Sequence, residues 1–151
     1  MIAVVTMGAP QPTLLDQLGG RATLERVHRR FYDLLFADPW LAPFFRHLDQ
    51  RFIEDQQTDF MAGNFGGPRI YRGRPPAQAH QHLFITGEMF VYRQKVLKQA
   101  LQECGVPVDL ARQWIRVDSA FRKVIVKGDL GECVPFAGDG RIVVLDEIAS
   151  R

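Results

Sequence analysis

The sequence predicts an all-α fold. Apolar residues recur at helical spacing through four long stretches. Each stretch is closed by glycine or proline. Strand-like runs occur only near the two ends. Five or six amphipathic helices of this kind must bury their stripes against one another in a single layered globule.

Taken in order, residues 1–12 carry two prolines and little periodicity and are expected to form a flexible N-terminal extension. A short helix over Leu14 to Leu18 stops at Gly19-Gly20. The next runs from Ala22 to Phe36, with Leu24, Val27, Phe31 and Leu35 on one stripe. Asp38-Pro39 ends it and starts a short element that Phe44-Phe45 closes. A third long helix covers Arg51 to Asn64, with Ile53, Phe60 and Met61 aligned, and Gly66-Gly67-Pro68 breaks it. Residues 69–77 read as loop, and a short turn follows from Gln78 to Leu83. Thr86 suits an N-cap for a helix to Cys104, with Phe90, Leu97, Ala100 and Leu101 inward. After Gly105-Val106-Pro107 the spacing predicts one last helix from Val108 to Val126, with Leu110, Trp114, Val117, Phe121 and Val124 on its inward stripe. The domain therefore spans residues 13–127, and 128–151 form a C-terminal tail with a short IVVL run and no assignable role.

Composition excludes several classes. The chain has 151 residues, 46% hydrophobic and 24% charged, with a net charge of +2. Near-balanced charge gives no reason to expect a nucleic acid or a membrane surface as partner. No apolar run is long enough to span a bilayer. The opening MIAVVTMGAPQPT lacks a basic start, so no signal peptide is expected and the cytoplasm is the default. Cys104 and Cys133 form no CxxC pair, which disfavours a zinc or thioredoxin-type site and covalent CxxCH attachment.

Chemistry is expected where polar residues fall on apolar stripes. Gln57 is four residues from both Ile53 and Met61 and points inward with them. Tyr32 sits at the edge of the inward face of its helix. A buried amide and a buried phenol are costly unless hydrogen-bonded, so they either satisfy each other or the backbone, or meet a ligand. His80, between a Gly/Pro loop and a helix, is either structural or free to turn its imidazole across the core.

These motifs, in this order and spacing, resemble the truncated haemoglobins, and within them the first group. Gly19-Gly20, Phe31-Tyr32, Phe44-Phe45, Gly66-Gly67-Pro68, Tyr71-x-Gly73 and His80 in an A-H-x-x-L-x-I context carry the likeness from about Leu14 to Val126. The resemblance implies a two-over-two helical sandwich holding haem b. It implies His80 as the iron's proximal ligand, Tyr32 and Gln57 as a distal pair that binds ligand, and Ile53 at the distal gate. Phe45 would pack on the porphyrin face, Phe60 and Met61 would line the far wall, and Tyr71 would lie near the haem edge within reach of a propionate. Arg93 departs from the family, which usually has an apolar residue there. Its guanidinium must find an anion or water. It either snorkels to the surface or reaches a propionate or the distal ligand. His47 and His82 are expected at the surface, His82 being a fallback ligand.

The resemblance implies reversible binding of O₂ or another diatomic gas (NO, CO) for transport or sensing. Alternatives are NO dioxygenase or peroxidase-type chemistry at the same iron, and a haem-free interaction module. The first of these needs an electron donor, and the chain has no flavin or nicotinamide motif, so any reductase is a separate protein.

Overall fold

The computed structural model describes residues 1–5, 8 and 11–146; the rest of the expected extension and the end of the tail lie outside the described residues. Seven helices follow in order among them: α1 (Leu14–Leu18), α2 (Arg21–Phe36), α3 (Gln50–Asn64), α4 (Pro76–His80), α5 (Gly87–Glu103), α6 (Val108–Ser119) and α7 (Arg122–Ile125). Two short 3₁₀ turns, Ala42–Phe44 and Leu130–Glu132, complete the set. Helix α2 packs on α3 and α5, and α5 packs on α6. The pairs α2/α3 and α5/α6 thus form the two layers of a two-over-two sandwich.

Local chemistry fixes the helix starts. The Thr13 hydroxyl accepts from Asp16 N at 3.0 Å, and the Asp16 carboxylate accepts from Thr13 N at 3.1 Å, a reciprocal cap on α1. Gly19 and Gly20 then turn the chain at φ 100° and 84°, a region that side chains with a Cβ avoid. Asp49 caps α3 by accepting from Phe52 N at 2.8 Å, and Thr86 caps α5 by accepting from Met89 N at 3.2 Å. The expected α2 stripe is buried throughout, Leu24, Val27, Phe31 and Leu35 being at most 1% exposed. Burying each such side chain contributes roughly 1.5–3 kcal/mol.

The last helix differs from expectation. It stops at Ser119, tightens through Ala120 N→Val117 O and Phe121 N→Asp118 O bonds, and restarts as α7. The break lets Phe121 meet Phe60 at 5.2 Å and leaves Val124, expected inward, 39% exposed. No glycine or proline marks this point.

The tail is part of the globule. Val134 N donates to Gln81 O at 2.7 Å, Val143 N to His82 O at 2.8 Å and Phe84 N to Val143 O at 2.9 Å. Leu83 and Val143 form a parallel bridge. Lys127, 7% exposed, donates its ammonium to the His80 and Leu83 carbonyls at 2.5 and 2.9 Å, satisfying the end of α4.

His28 is a core histidine. It is 1% exposed, its Nδ1 lies 2.8 Å from the Thr58 hydroxyl, and its ring meets Trp114 edge-on at 5.5 Å. Burial, helped by Arg93, lowers its pKa to about 3. The unfolded chain therefore binds a proton here that the folded chain refuses, from pH 6.5 downward, and stability falls as pH falls through that window. Between pH 7 and 5 the apoprotein is expected to lose on the order of 1–2 kcal/mol through this one group. Urea unfolding of wild type and His28→Gln at both pH values checks it: the pH-dependent loss should shrink by about that amount in the variant.

Candidate functional site

A cavity of about 410 Å³ lies among the helices, within the range of small-molecule sites. All nine residues singled out from the sequence line it: Tyr32 from α2, Phe45 from the turn before α3, Ile53, Gln57, Phe60 and Met61 from α3, Tyr71, His80 from α4 and Arg93 from α5. The helical spacing that placed Ile53, Gln57 and Met61 together accounts for the α3 wall.

His80 commits one ring nitrogen to the backbone and leaves the other unspent. Its Nδ1 donates to the Pro76 carbonyl at 2.7 Å, one turn back on α4. That bond fixes the tautomer and leaves Nε2 with a lone pair. Burial, partly opposed by the Pro76 bond, lowers the His80 pKa to about 4, so the ring is neutral at pH 7.

Tyr32 is 6% exposed, and its ring packs against Phe31 and Phe45 at 5.1 and 6.0 Å. Burial pushes its pKa up to about 12, so the phenol keeps its proton. The expected Tyr32–Gln57 bond is not made among the described residues: both groups face the cavity, and neither is spent on the other. Tyr71 is partly committed, since its hydroxyl donates to the Arg74 carbonyl at 2.7 Å and its ring meets Phe60 at 5.1 Å. This closed turn explains the Tyr-x-Gly spacing: a Cβ at Gly73 would lie 2.2 Å from the Tyr71 hydroxyl.

Arg93 does need an anion, and the partner is Asp118 of α6. Its two terminal nitrogens donate to the two Asp118 oxygens at 2.9 and 3.0 Å, a fork-to-fork pair. The guanidinium also lies over Phe31 at 5.2 Å and Phe90 at 5.6 Å. Burial alone would lower the Arg93 pKa, and Asp118 outweighs it and holds the group charged. The side chain therefore does not snorkel to the surface: its charge is balanced inside the fold, on the cavity wall. A second departure concerns His82, which is 8% exposed rather than at the surface. Its ring lies 5.1 Å from Phe136 of the tail.

Sequence reasoning missed Asp118 and the tail residues Phe136, Arg141 and Val143, which also line the cavity. Asp118 follows Val117 of the stripe and carries no signal without knowledge of what faces it. The tail lacks helical periodicity altogether.

A two-layer helical sandwich closed on an aromatic cavity, with a neutral histidine in its wall, defines a globin of the shortened, two-over-two kind. The chain belongs to the bacterial-like globin family, whose model matches residues 13–126. The group 1 truncated hemoglobin GlbN of Mycolicibacterium paratuberculosis is 31% identical over 124 residues, covering 82% of this chain and 91% of the relative. The truncated hemoglobin of Tetrahymena pyriformis in its Fe(III) form is similar at TM-score 0.70 and 28% identity, over 76% of this chain and 98% of that one. The hemoglobin of Chloroflexus aurantiacus is similar at TM-score 0.68 and 30% identity, over 78% and 100% of the two chains. Membership brings haem b as the cofactor and diatomic gases as the class of ligand.

The residues fit that group. Among the described residues no set of three or more His, Cys, Asp or Glu side chains could hold a bare metal ion. A neutral imidazole with a free Nε2 on an aromatic cavity instead suits an iron that arrives inside its own macrocycle.

The Arg93–Asp118 pair generates a test. Asp118→Asn leaves a guanidinium on the cavity wall without its carboxylate and is expected to cost about 2–4 kcal/mol in urea unfolding. The double variant Arg93→Met/Asp118→Leu removes both charges and should regain most of that loss. Equal losses in the single and double variants would show that packing, rather than charge pairing, holds these positions.

Proposed function

We propose that this globin binds O₂ reversibly, for transport or sensing, with His80 as the residue that would hold the haem iron and Tyr32 and Gln57 as the hydrogen-bond donors to the gas. The observation that carries the reading is the state of the two donors. Both face the cavity, and no hydrogen bond joins them or ties either to another described residue. Haem, held by His80, would supply a ferrous iron able to bind a diatomic gas, on which partial negative charge would develop. A phenol and an amide fixed in a dry apolar site stabilise such charge well, since they need not reorganise and few competitors surround them. Burial holds the Tyr32 proton in place as a donor. The Nδ1 bond to Pro76 orients His80 and keeps Nε2 available. Ile53, Phe45, Phe60 and Met61 exclude water from the space these donors face, and Tyr71 closes its rim by holding residues 71–74. Among the described residues no helix is long and apolar enough to cross a membrane.

Visible spectra of the purified protein in ferric, ferrous and oxygenated forms test the reading. His80→Ala should lose tight haem binding or give a poorly ligated haem, and a wild-type ferrous spectrum in that variant rules His80 out. Tyr32→Phe should speed O₂ dissociation about ten- to a hundredfold, the worth of one bond to a charged acceptor. Gln57→Leu should act in the same direction and less. Unchanged rates in both variants place the donors elsewhere.

A further inference from the structure

A haem carries two carboxylates, and the cavity lining contains few cations to meet them. Arg93 is already neutralised by Asp118. Two further guanidinium groups line the cavity together, Arg74 from the loop before α4 and Arg141 from the tail. They flank one ring: the Arg74 carbon is 5.9 Å and the Arg141 carbon 5.4 Å from the centre of Phe136. Arg74 has no carboxylate partner among the described residues, and Arg141 has an exposed one, Asp139 at 3.3 Å. His82 packs on the same ring at 5.1 Å, with a buried Nδ1 that has no hydrogen-bond partner among the described residues. The cluster therefore keeps a net positive charge beyond the exposed Asp139, with Arg74 and His82 Nδ1 unspent on described carboxylates or hydrogen-bond partners.

The fold holds this cluster in place. The Tyr71 hydroxyl bonds the Arg74 carbonyl and fixes one arm. The other arm is a tight turn in which Phe136 N donates to Arg141 O at 2.9 Å and Gly140 N to Phe136 O at 2.7 Å. That turn is tied through Val134 and Val143 to residues 81–84, directly after His80. Residues 127–146 lie beyond the family match at 13–126, so this arm is outside the part that defines the family.

We propose that the tail is a wall of the haem pocket, and that Arg141 on it and Arg74 across Phe136 form a cationic clamp for the two haem carboxylates. The proposal rests on the haem reading above. Desolvated or partly desolvated guanidinium–carboxylate pairs hold both geometry and charge, and exposed ones are weaker and screened by salt. Both arginines are solvent-exposed residues, so the expected effects are moderate.

The test compares haem with its dimethyl ester, which keeps the ring and iron and lacks both negative charges. Apoprotein of the full chain is loaded with either porphyrin, and the rate of transfer to an acceptor protein is measured. Arg74→Gln and Arg141→Gln should each speed loss of haem about threefold, and the double variant about tenfold, with the difference shrinking at high salt. Loss of the dimethyl ester should change less than twofold in all three. Circular dichroism of the apoproteins checks that helix content is kept, and Arg141→Glu, with its charge reversed, should lose haem faster than Arg141→Gln. Equal effects on the two porphyrins, or none on haem in the double variant, overturn the clamp and leave the haem reading standing. A wild-type protein that takes up neither porphyrin overturns both.

Discussion

A cavity of about 410 Å³ inside a 151-residue chain is the constraint on which the rest of the structure depends. Protein interiors normally close to crystal-like density, so an open space must be held open by walls anchored elsewhere. Here the anchors lie behind the cavity. The α2 stripe of Leu24, Val27 and Phe31 is fully buried against the neighbouring helices. Leu15 N bonds Phe65 O at 3.0 Å and ties α1 to the end of α3. The Asp38 carboxylate accepts from Trp40 N, Leu41 N and the Tyr92 hydroxyl, joining the start of the 38–45 turn to α5. None of these bonds uses a residue that faces the cavity as a donor to a ligand.

Polar groups divide accordingly. Those in the frame are paired: His28 with Thr58, Arg93 with Asp118, Lys127 with two carbonyls. Buried polar atoms without partners are costly, so pairing is what lets the frame include them. Those with a proposed role toward a ligand keep capacity in reserve. His80 spends Nδ1 and retains Nε2, and Tyr32 and Gln57 spend nothing on each other. A site of this kind is preorganised because reorienting its frame would break paired bonds, while its donors lose nothing by accepting a ligand.

The Arg93–Asp118 pair shows how a departure from a family pattern is accommodated. A charge on an inward stripe suggests a charged ligand when read alone. In the fold the balancing carboxylate comes from a helix 25 residues further along the chain, and Gln94 bonds the same carboxylate at 3.0 Å. The charge on α5 is thus balanced by a carboxylate on α6, and the pair forms part of the cavity wall.

The sequence by itself determined the long helices, most of their ends, and nine of the residues that line the cavity. Those features follow from information local in the chain: 3.6-residue periodicity for the stripes, Thr13, Asp49 and Thr86 as caps, and glycines where φ turns positive. The tertiary structure decided what depends on which residues meet across long separations. The break at Ala120 accompanies the contact of Phe121 with Phe60, and Arg93 is satisfied by Asp118. His82 is buried by the approach of Phe136. The tail is placed by backbone bonds to residues 81–84, about 50 to 60 positions earlier. Backbone donors and acceptors are the same at every position, so a pairing made through them leaves no mark on the side-chain pattern, and only the folded chain reveals it.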